Sequence, residues 1–298
     1  MSNATSHANV ADAQEGLLAI TLAGLNVYPV KSCAGVSPSD ALLIETGLEF
    51  DRAWMLVGSD GHCVSQRELP RMALIQTTLK QTELVLRAPG MLALHLALDA
   101  VEQPVRVTVW DDTVAAYDMS ALAAQWFTDF LGRPLRMARF DPEQKRLSDK
   151  QWTGEIDAEN AFSDGFALLV TSQASLDELN QRLQARGEEP VTLARFRPNL
   201  VLDGLDAHGE DHLDEISFDT EEGLVRLKLV KPCTRCSIPD VNPLTGARGH
   251  EPGDTLATYR ADARMGGAIT FGMNAVVVQG IECTLRAGMT GKASLRFD

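Results

Sequence analysis

Apolar positions along the chain alternate or run together in short segments, and Gly, Pro and Asp separate the segments. These segments are residues 18–30, 41–57, 74–87, 92–98, 105–117, 197–203, 224–230 and 271–286. Many short strands between turn residues are typical of a β-barrel or a β-sandwich. We therefore predict a mainly β (α+β) fold with a few short helices.

Two segments show helical periodicity instead. Residues 120–131 repeat large apolar side chains at every fourth position, with Ser120 as a candidate N-cap and Gly132 as a candidate C-cap. Residues 172–186 carry one leucine stripe and begin at Ser172, another capping residue. Both segments are predicted to be helices that cover a β framework.

A polar stretch without periodicity, residues 140–163, divides the chain and is the best candidate for a domain junction. We predict a flexible N-terminus over residues 1–17, an N-terminal domain over 18–139 and a second domain over 140–298. The two domains are expected to be interleaved and barrel-like.

Composition and charge exclude several functional classes. The 298-residue chain has a formal net charge of -14 and no Lys/Arg run, so we expect no nucleic-acid-binding surface. No segment approaches the roughly 18 apolar residues of a spanning helix, and residues 1–16 lack the apolar core of a signal peptide. We expect no membrane association and a cytoplasmic location. The five cysteines, mostly isolated, fit a reducing compartment.

The sharpest local motif is KPCTRCSIPDVNPLTG, residues 231–246, which follows a predicted strand. Four interpretations remain open. The thiols of Cys233 and Cys236 could bind zinc together with His208 and His212, form a redox dithiol, pack as buried cysteines, or supply one thiolate to a soft metal. Arg235 would favour the thiolate, as would Lys231.

Cationic residues occur at strand ends in three other motifs: YPVKSCAG (28–35), EFDRAWMLV (49–57) and ARFRPNLVLDG (194–204). Lys31 with Ser32 suits an anion, and Arg52 and Arg197 suit a phosphate. Each has a simpler alternative: a solvated lysine at a turn, an internal ion pair for Arg52, and a strand that begins with surface arginines.

Taken in order, these motifs resemble the MOSC (molybdenum cofactor sulfurase C-terminal) family with its N-terminal β-barrel partner domain. The similarity extends over about residues 18–290 and includes YPVKS, DRAWMLV, FRPN and CTRC followed by DVNPLTG. The group includes the mitochondrial amidoxime-reducing component and bacterial proteins that detoxify N-hydroxylated base analogues.

The resemblance implies a molybdenum cofactor, molybdopterin with one Mo, and a set of residues that hold it. Cys236 is then the protein's ligand to the metal and the catalytic cysteine, and the Asp164-Gly165 turn contributes backbone donors. The pterin and its phosphate are then held by Lys31, Ser32, Arg52, Arg197 and Asn199.

The activity that the resemblance implies is reduction of N-hydroxylated substrates, namely hydroxylamines, amidoximes and N-hydroxylated bases. No C-x4-C-x2-C run is present, so we expect no iron–sulfur cluster in this chain. Electrons are then expected from a separate ferredoxin- or flavin-type reductase. The alternatives are a non-catalytic molybdenum-cofactor carrier or sulfur-transfer protein, and a zinc-stabilised binding module.

Overall fold

The computed structural model describes residues 17–296, and all but the last residue of the predicted flexible segment 1–17 lies outside that range. Within it, eighteen strands and four helices form. The strands are β1 (Leu18–Leu25), β2 (Asp40–Ile44), β3 (Gly47–Leu48), β4 (Trp54–Val57), β5 (Gln76–Leu79), β6 (Glu83–Arg87), β7 (Leu94–Ala97), β8 (Pro104–Val109), β9 (Asp112–Asp118), β10 (Arg136–Phe140), β11 (Leu168–Ser172), β12 (Leu200–Asp203), β13 (Leu213–Asp219), β14 (Leu224–Thr234), β15 (Ala261–Asp262), β16 (Ala268–Gln279), β17 (Thr284–Arg286) and β18 (Thr290–Leu295). The helices are α1 (Ala121–Leu131), α2 (Lys150–Thr153), α3 (Gln173–Ala185) and α4 (Gly253–Ala257).

Seven strands close into a barrel in the order β11, β12, β1, β18, β13, β14 and β16, because β16 pairs back onto β11. β1 and β14 alternate in burial over most of their length, so that one set of their side chains fills the interior. Leu22, Leu202, Ile216 and Leu227 are among the fully buried members of this core. The first strand of the chain thus joins strands from its second half. The prediction of a mainly β fold with a few short helices is confirmed, and one closed barrel is present.

Three smaller sheets complete the structure. β4, β10, β9 and β8 form one, β5, β6 and β7 form another, and β17, β2 and β3 form the third. Helix α1 packs on β10 and contributes Phe127 to a second core that also contains the fully buried Trp54. The N-terminal part of the chain, which contains this second core, contributes residues 31, 32, 52, 65 and 67 to the lining of the cavity described below.

Both predicted helices are present with their predicted caps. The Ser120 hydroxyl accepts a hydrogen bond from the backbone of Ala123 at 3.1 Å, and Gly132 ends α1 in the left-handed conformation. Ser172 caps α3 in the same way, through Ser175. No helix within residues 17–296 is both long and apolar enough to cross a membrane.

The polar segment 140–163 is ordered by one buried side chain. The guanidinium of Arg146 donates to the Asn160 side chain and to the backbone carbonyls of Ala161 and Ser163, at 2.5, 2.9 and 2.7 Å. These bonds fix the loop that leads into Asp164. The segment therefore positions a predicted site residue.

Candidate functional site

One cavity lies where the ends of barrel strands meet the turn that follows Tyr28, and it encloses about 830 Å³ with its mouth included. All eight predicted site residues line it: Lys31, Ser32, Arg52, Asp164, Gly165, Arg197, Asn199 and Cys236. Their common location is a fact of the structure, while their individual roles stay predictions.

Lys31 is buried and its charge is directed inward. Its ammonium donates to the Phe162 carbonyl at 2.7 Å and to the carboxylate of Asp164 at 2.5 Å. The next residue, Ser32, takes a left-handed backbone with φ of 68°, and Gln66 donates to its carbonyl. The solvated lysine considered from the sequence is therefore not what the structure contains.

Asp164 is the negative group in the cavity wall. Burial raises its pKa, but Lys31 outweighs that effect, with help from Arg67 and from the indole of Trp110, so the net pKa lies well below its usual range. The carboxylate is consequently ionised at neutral pH. It partly offsets the positive charge of the site.

Arg52 is held in place by several partners. It pairs with the carboxylate of Asp51 and donates to the Asn199 side chain and to the Arg197 carbonyl, both at 2.9 Å. Its guanidinium also lies over the Tyr28 ring, 4.4 Å from the centroid. The internal ion pair considered from the sequence is thus present, on a guanidinium that also borders the cavity.

Asn199 is fully buried and links several segments. Its side-chain oxygen accepts from the backbone of Leu169 at 3.1 Å as well as from Arg52, and its amide nitrogen donates to the carbonyl of Asn26 at 3.1 Å. These bonds fix the entry to β12 and the orientation of Arg52. Asn199 is therefore a positioning residue in the cavity wall.

Arg197 differs from Arg52 because part of its guanidinium has no partner. One nitrogen donates to the Cys33 carbonyl at 2.5 Å and the group lies 4.2 Å from the centroid of the Tyr28 ring, but the other terminal nitrogen is buried without a hydrogen bond. Burial, together with the positive charge of Arg52, lowers the pKa of Arg197 to about 10. A buried, unpaired donor is unfavourable, so this position favours an anionic ligand.

The two cysteines of the CTRC motif have different surroundings. Burial raises the pKa of the Cys233 thiol, whereas Cys236 is exposed in the loop just beyond β14. The guanidinium of Arg235 donates hydrogen bonds to the carbonyls of Phe271 and Phe196. The geometry leaves the second thiol accessible to a ligand in the cavity.

The neighbouring cation Lys231 does not lie where the sequence suggested. Its ammonium lies over the rings of Trp152 and Phe166, 5.0 and 5.7 Å from their centroids. Of the two cations in the motif, Arg235 therefore lines the cavity and Lys231 does not.

A zinc site that combines the cysteines with histidines finds no support within residues 17–296. The group of potential ligand atoms found close enough together there is His250, Glu251 and Asp254, which includes neither cysteine. His208 and His212 do not join Cys233 and Cys236 in such a group.

Several cavity residues were missed by the sequence reasoning as site residues. Among the residues that the structure describes, six cations and one carboxylate line the cavity. The cations are Lys31, Arg52, Arg67, Arg195, Arg197 and Arg235. The Arg-Phe-Arg spacing gave a signal for Arg195, but nothing in its sequence context distinguished Arg67. An excess of cations in a chain of net charge -14 indicates a site for an anion.

Comparison with protein families gives two matches that agree with this geometry. The model of the MOSC N-terminal beta barrel domain matches residues 19–134, and the model of the MOSC domain matches residues 157–290. The chain belongs to the MOSC family. The cavity lies between the two matched regions and takes residues from both.

Curated members of the MOSC family extend the match to most of the chain. Mitochondrial amidoxime-reducing component 1 of Mus musculus is 35% identical over 250 residues, which is 80% of this chain and 71% of that protein. The protein of the same name from Homo sapiens is also 35% identical, over 80% of this chain and 72% of its own length. Molybdenum cofactor sulfurase of Bos taurus is 29% identical over 86% of this chain, but only 31% of that longer protein is matched.

Proposed function

We propose that this MOSC protein is a molybdenum-cofactor-dependent reductase of N-hydroxylated compounds. The substrates proposed are hydroxylamines, amidoximes and N-hydroxylated bases, and the physiological role proposed is detoxification. The observation that carries the proposal is the cation-lined cavity with an accessible thiol, Cys236, in its wall.

The cavity fits an anionic cofactor that also needs a thiolate. A phosphate would accept a hydrogen bond from the unpartnered nitrogen of Arg197. Its negative charge would also reduce the repulsion between Arg197 and Arg52. Lys31, which carries its charge into the same wall, would add a third cation. Soft metals prefer thiolate ligands, so Cys236 would bind the molybdenum.

The division of labour between cofactor and protein follows from this arrangement. When bound, the cofactor supplies two-electron oxygen-transfer chemistry. The chain holds the phosphate through its arginines, fixes Arg52 through Asp51 and Asn199, and leaves the Cys236 side of the cavity open to small substrates. Orientation and neutralisation of charge are thus the tasks of the protein residues.

Electrons are proposed to come from a separate protein of the ferredoxin or flavin type. The sequence contains neither a nucleotide-binding G-x-G-x-x-G after a strand nor an iron–sulfur spacing, which supports an external donor. We also propose a cytoplasmic location, which the five unpaired cysteines support.

A second candidate function is sulfur transfer or carriage of the cofactor. The match to molybdenum cofactor sulfurase over 86% of this chain favours it, and an exposed cysteine is the residue type that sulfur transfer needs. A carrier would bind the cofactor in the same cavity without reducing any substrate.

The deciding experiment measures molybdenum and turnover on the same protein. Chain purified from a host that makes the cofactor should contain about one Mo per chain and reduce an amidoxime when reduced viologen is the donor. It should be inactive with NADH alone. Zinc in place of molybdenum would refute the proposal, and stoichiometric molybdenum without turnover would favour the carrier.

A further inference from the structure

Trp110 occupies an unusual position for a large aromatic residue. It lies in the tight turn between β8 and β9, has a left-handed backbone with φ of 56°, and is 49% exposed. A residue other than glycine pays roughly 1 kcal/mol or more for that backbone. Such strain persists where surrounding contacts hold the residue in place.

Two contacts tie Trp110 to the wall of the cofactor cavity. Its indole N–H donates to the Asp164 carboxylate at 3.2 Å, and the guanidinium of Arg67 lies 4.3 Å from its ring centroid. Both partners line the cavity, although Trp110 itself comes from a hairpin of the N-terminal region. The indole is therefore fixed at the rim of the cavity.

Arg67 provides a second, independent observation. Its Nε is buried and has no hydrogen-bond partner, while one terminal nitrogen lies 4.0 Å from Asp164. Such a donor costs folding free energy, and a polar group of a ligand that reached Nε would satisfy it. Arg67 thus joins a cationic donor to the aromatic surface of Trp110.

We propose that Trp110 and Arg67 form a subsite at the cavity rim that binds the flat ring of an aromatic or heteroaromatic substrate. This inference rests on the proposed reduction of N-hydroxylated compounds and names which of them the site selects. Arg67 covers one face of the indole, so a planar π-system can stack on the surface that remains exposed. Acyclic hydroxylamines and amidoximes lack such a ring and gain nothing from the subsite.

The test compares binding of a ring compound with binding of an acyclic one, without turnover. Adenine and acetamidine, neither of which carries an N-hydroxy group to reduce, are titrated calorimetrically into the purified protein with its cofactor. Trp110→Leu keeps an apolar side chain but removes the π-face, and Trp110→Phe restores a smaller one. The control is Leu122→Ala, at a residue that is 67% exposed on α1.

Trp110→Leu should weaken adenine binding on the order of tenfold and leave acetamidine binding unchanged. Trp110→Phe should recover most of the affinity, and Leu122→Ala should behave as the unaltered chain. Molybdenum content should be the same in all four proteins.

Equal losses for adenine and acetamidine, unchanged adenine binding, or loss of molybdenum on Trp110→Leu would each overturn the subsite. The proposed reductase activity fails separately, when amidoximes are not reduced. If amidoximes are not reduced, the subsite can still be tested, because binding of adenine and acetamidine does not require either compound to react.

Discussion

Two groups of buried charged residues in this protein follow opposite rules. At the N-terminus of α3, the carboxylate of Glu210 accepts hydrogen bonds from the hydroxyls of Ser172 and Ser175. The next residue, Asp211, forms a buried ion pair with Arg260. We call these five residues the rear cluster. In the cavity, by contrast, cations outnumber carboxylates, and Arg197 keeps a buried donor without a partner.

This difference shows that the partners of a buried charge indicate whether the charge serves the fold or a ligand. A buried charge that is paired with an opposite charge contributes to one folded arrangement, as Arg260 and Asp211 do in the rear cluster, although Oδ1 of Asp211 has no hydrogen bond within residues 17–296. A buried cation that lies beside another cation and has no paired carboxylate among the described residues, as is the case for Arg197, costs folding free energy, so its retention indicates an anionic ligand. The cavity and the rear cluster should therefore respond differently to substitution.

The largest expected effect concerns the thiol in the cavity. Cys236→Ser should abolish turnover and alter the visible spectrum of the bound cofactor, because a hydroxyl is a poor ligand for a soft metal. Cys233→Ser should keep most activity, since that thiol is the less accessible one and burial raises its pKa. The measurements are viologen-driven amidoxime reduction and absorption spectra. Equal loss in both variants would point to a dithiol instead.

The second prediction breaks the rear cluster. Arg260→Ala leaves the buried carboxylate of Asp211 without its cation, and such a change costs about 3–5 kcal/mol of stability. Urea unfolding of the cofactor-free protein should show this loss. Molybdenum bound per folded chain should stay constant. A large drop in molybdenum in the folded fraction would mean that the two groups are not independent.

The third prediction makes the matching change in the cavity. Arg197→Ala should weaken cofactor retention by about 1.5–3 kcal/mol, the contribution of a charge-assisted hydrogen bond. Arg197→Lys should rescue only part of it, because an ammonium lacks the planar fork. The measurement is molybdenum per chain after purification.

The stability of the cofactor-free protein supplies the contrast for Arg197→Ala. It should change by less than about 1 kcal/mol, since the loss of the Cys33 and Tyr28 contacts is offset by removal of a buried, unpaired charge. Arg182→Ala, on the exposed surface of α3, is the control for molybdenum content. Full molybdenum in Arg197→Ala together with a large loss of stability would assign Arg197 to the fold rather than to a ligand.

The sequence predicted the mainly β class and both longer helices because those elements have regular patterns, but several strands escaped it. In β13 a bulge between Leu213 and Glu215 shifts the register and interrupts the alternation. β18 has few apolar residues, and β11 is buried at every position, so neither alternates clearly. Closure of the barrel depends on these three strands and could not be derived from periodicity.

The cavity could be predicted only in part, for a similar reason. Motifs marked Lys31, Arg52 and Arg197, and all three line one cavity in the structure. The pairing of Arg52 with Asn199 spans 147 positions of the chain, and the contact of Arg67 with Trp110 joins two loops. Such contacts arise from tertiary packing, which no local pattern records.

The smallest expected effect is the pH response of His208, a neighbour of the rear cluster. Burial, with the positive charge of Arg260 as a lesser cause, lowers its pKa to about 4, against about 6.5 in an unfolded chain. Between these values the unfolded chain binds a proton that the folded protein does not, so stability falls as pH falls from about 6.5 to about 4. At pH 5 the loss should be about 1–2 kcal/mol relative to pH 7 once partial solvent access is allowed for.

His208→Asn removes the titration and tolerates the left-handed backbone at this position, φ of 61°. Urea unfolding at pH 7 and pH 5 should therefore show a smaller loss for His208→Asn than for the unaltered chain. If both proteins lose the same free energy, His208 is as accessible to protons when folded as when unfolded, and only the carboxylates set the acid response.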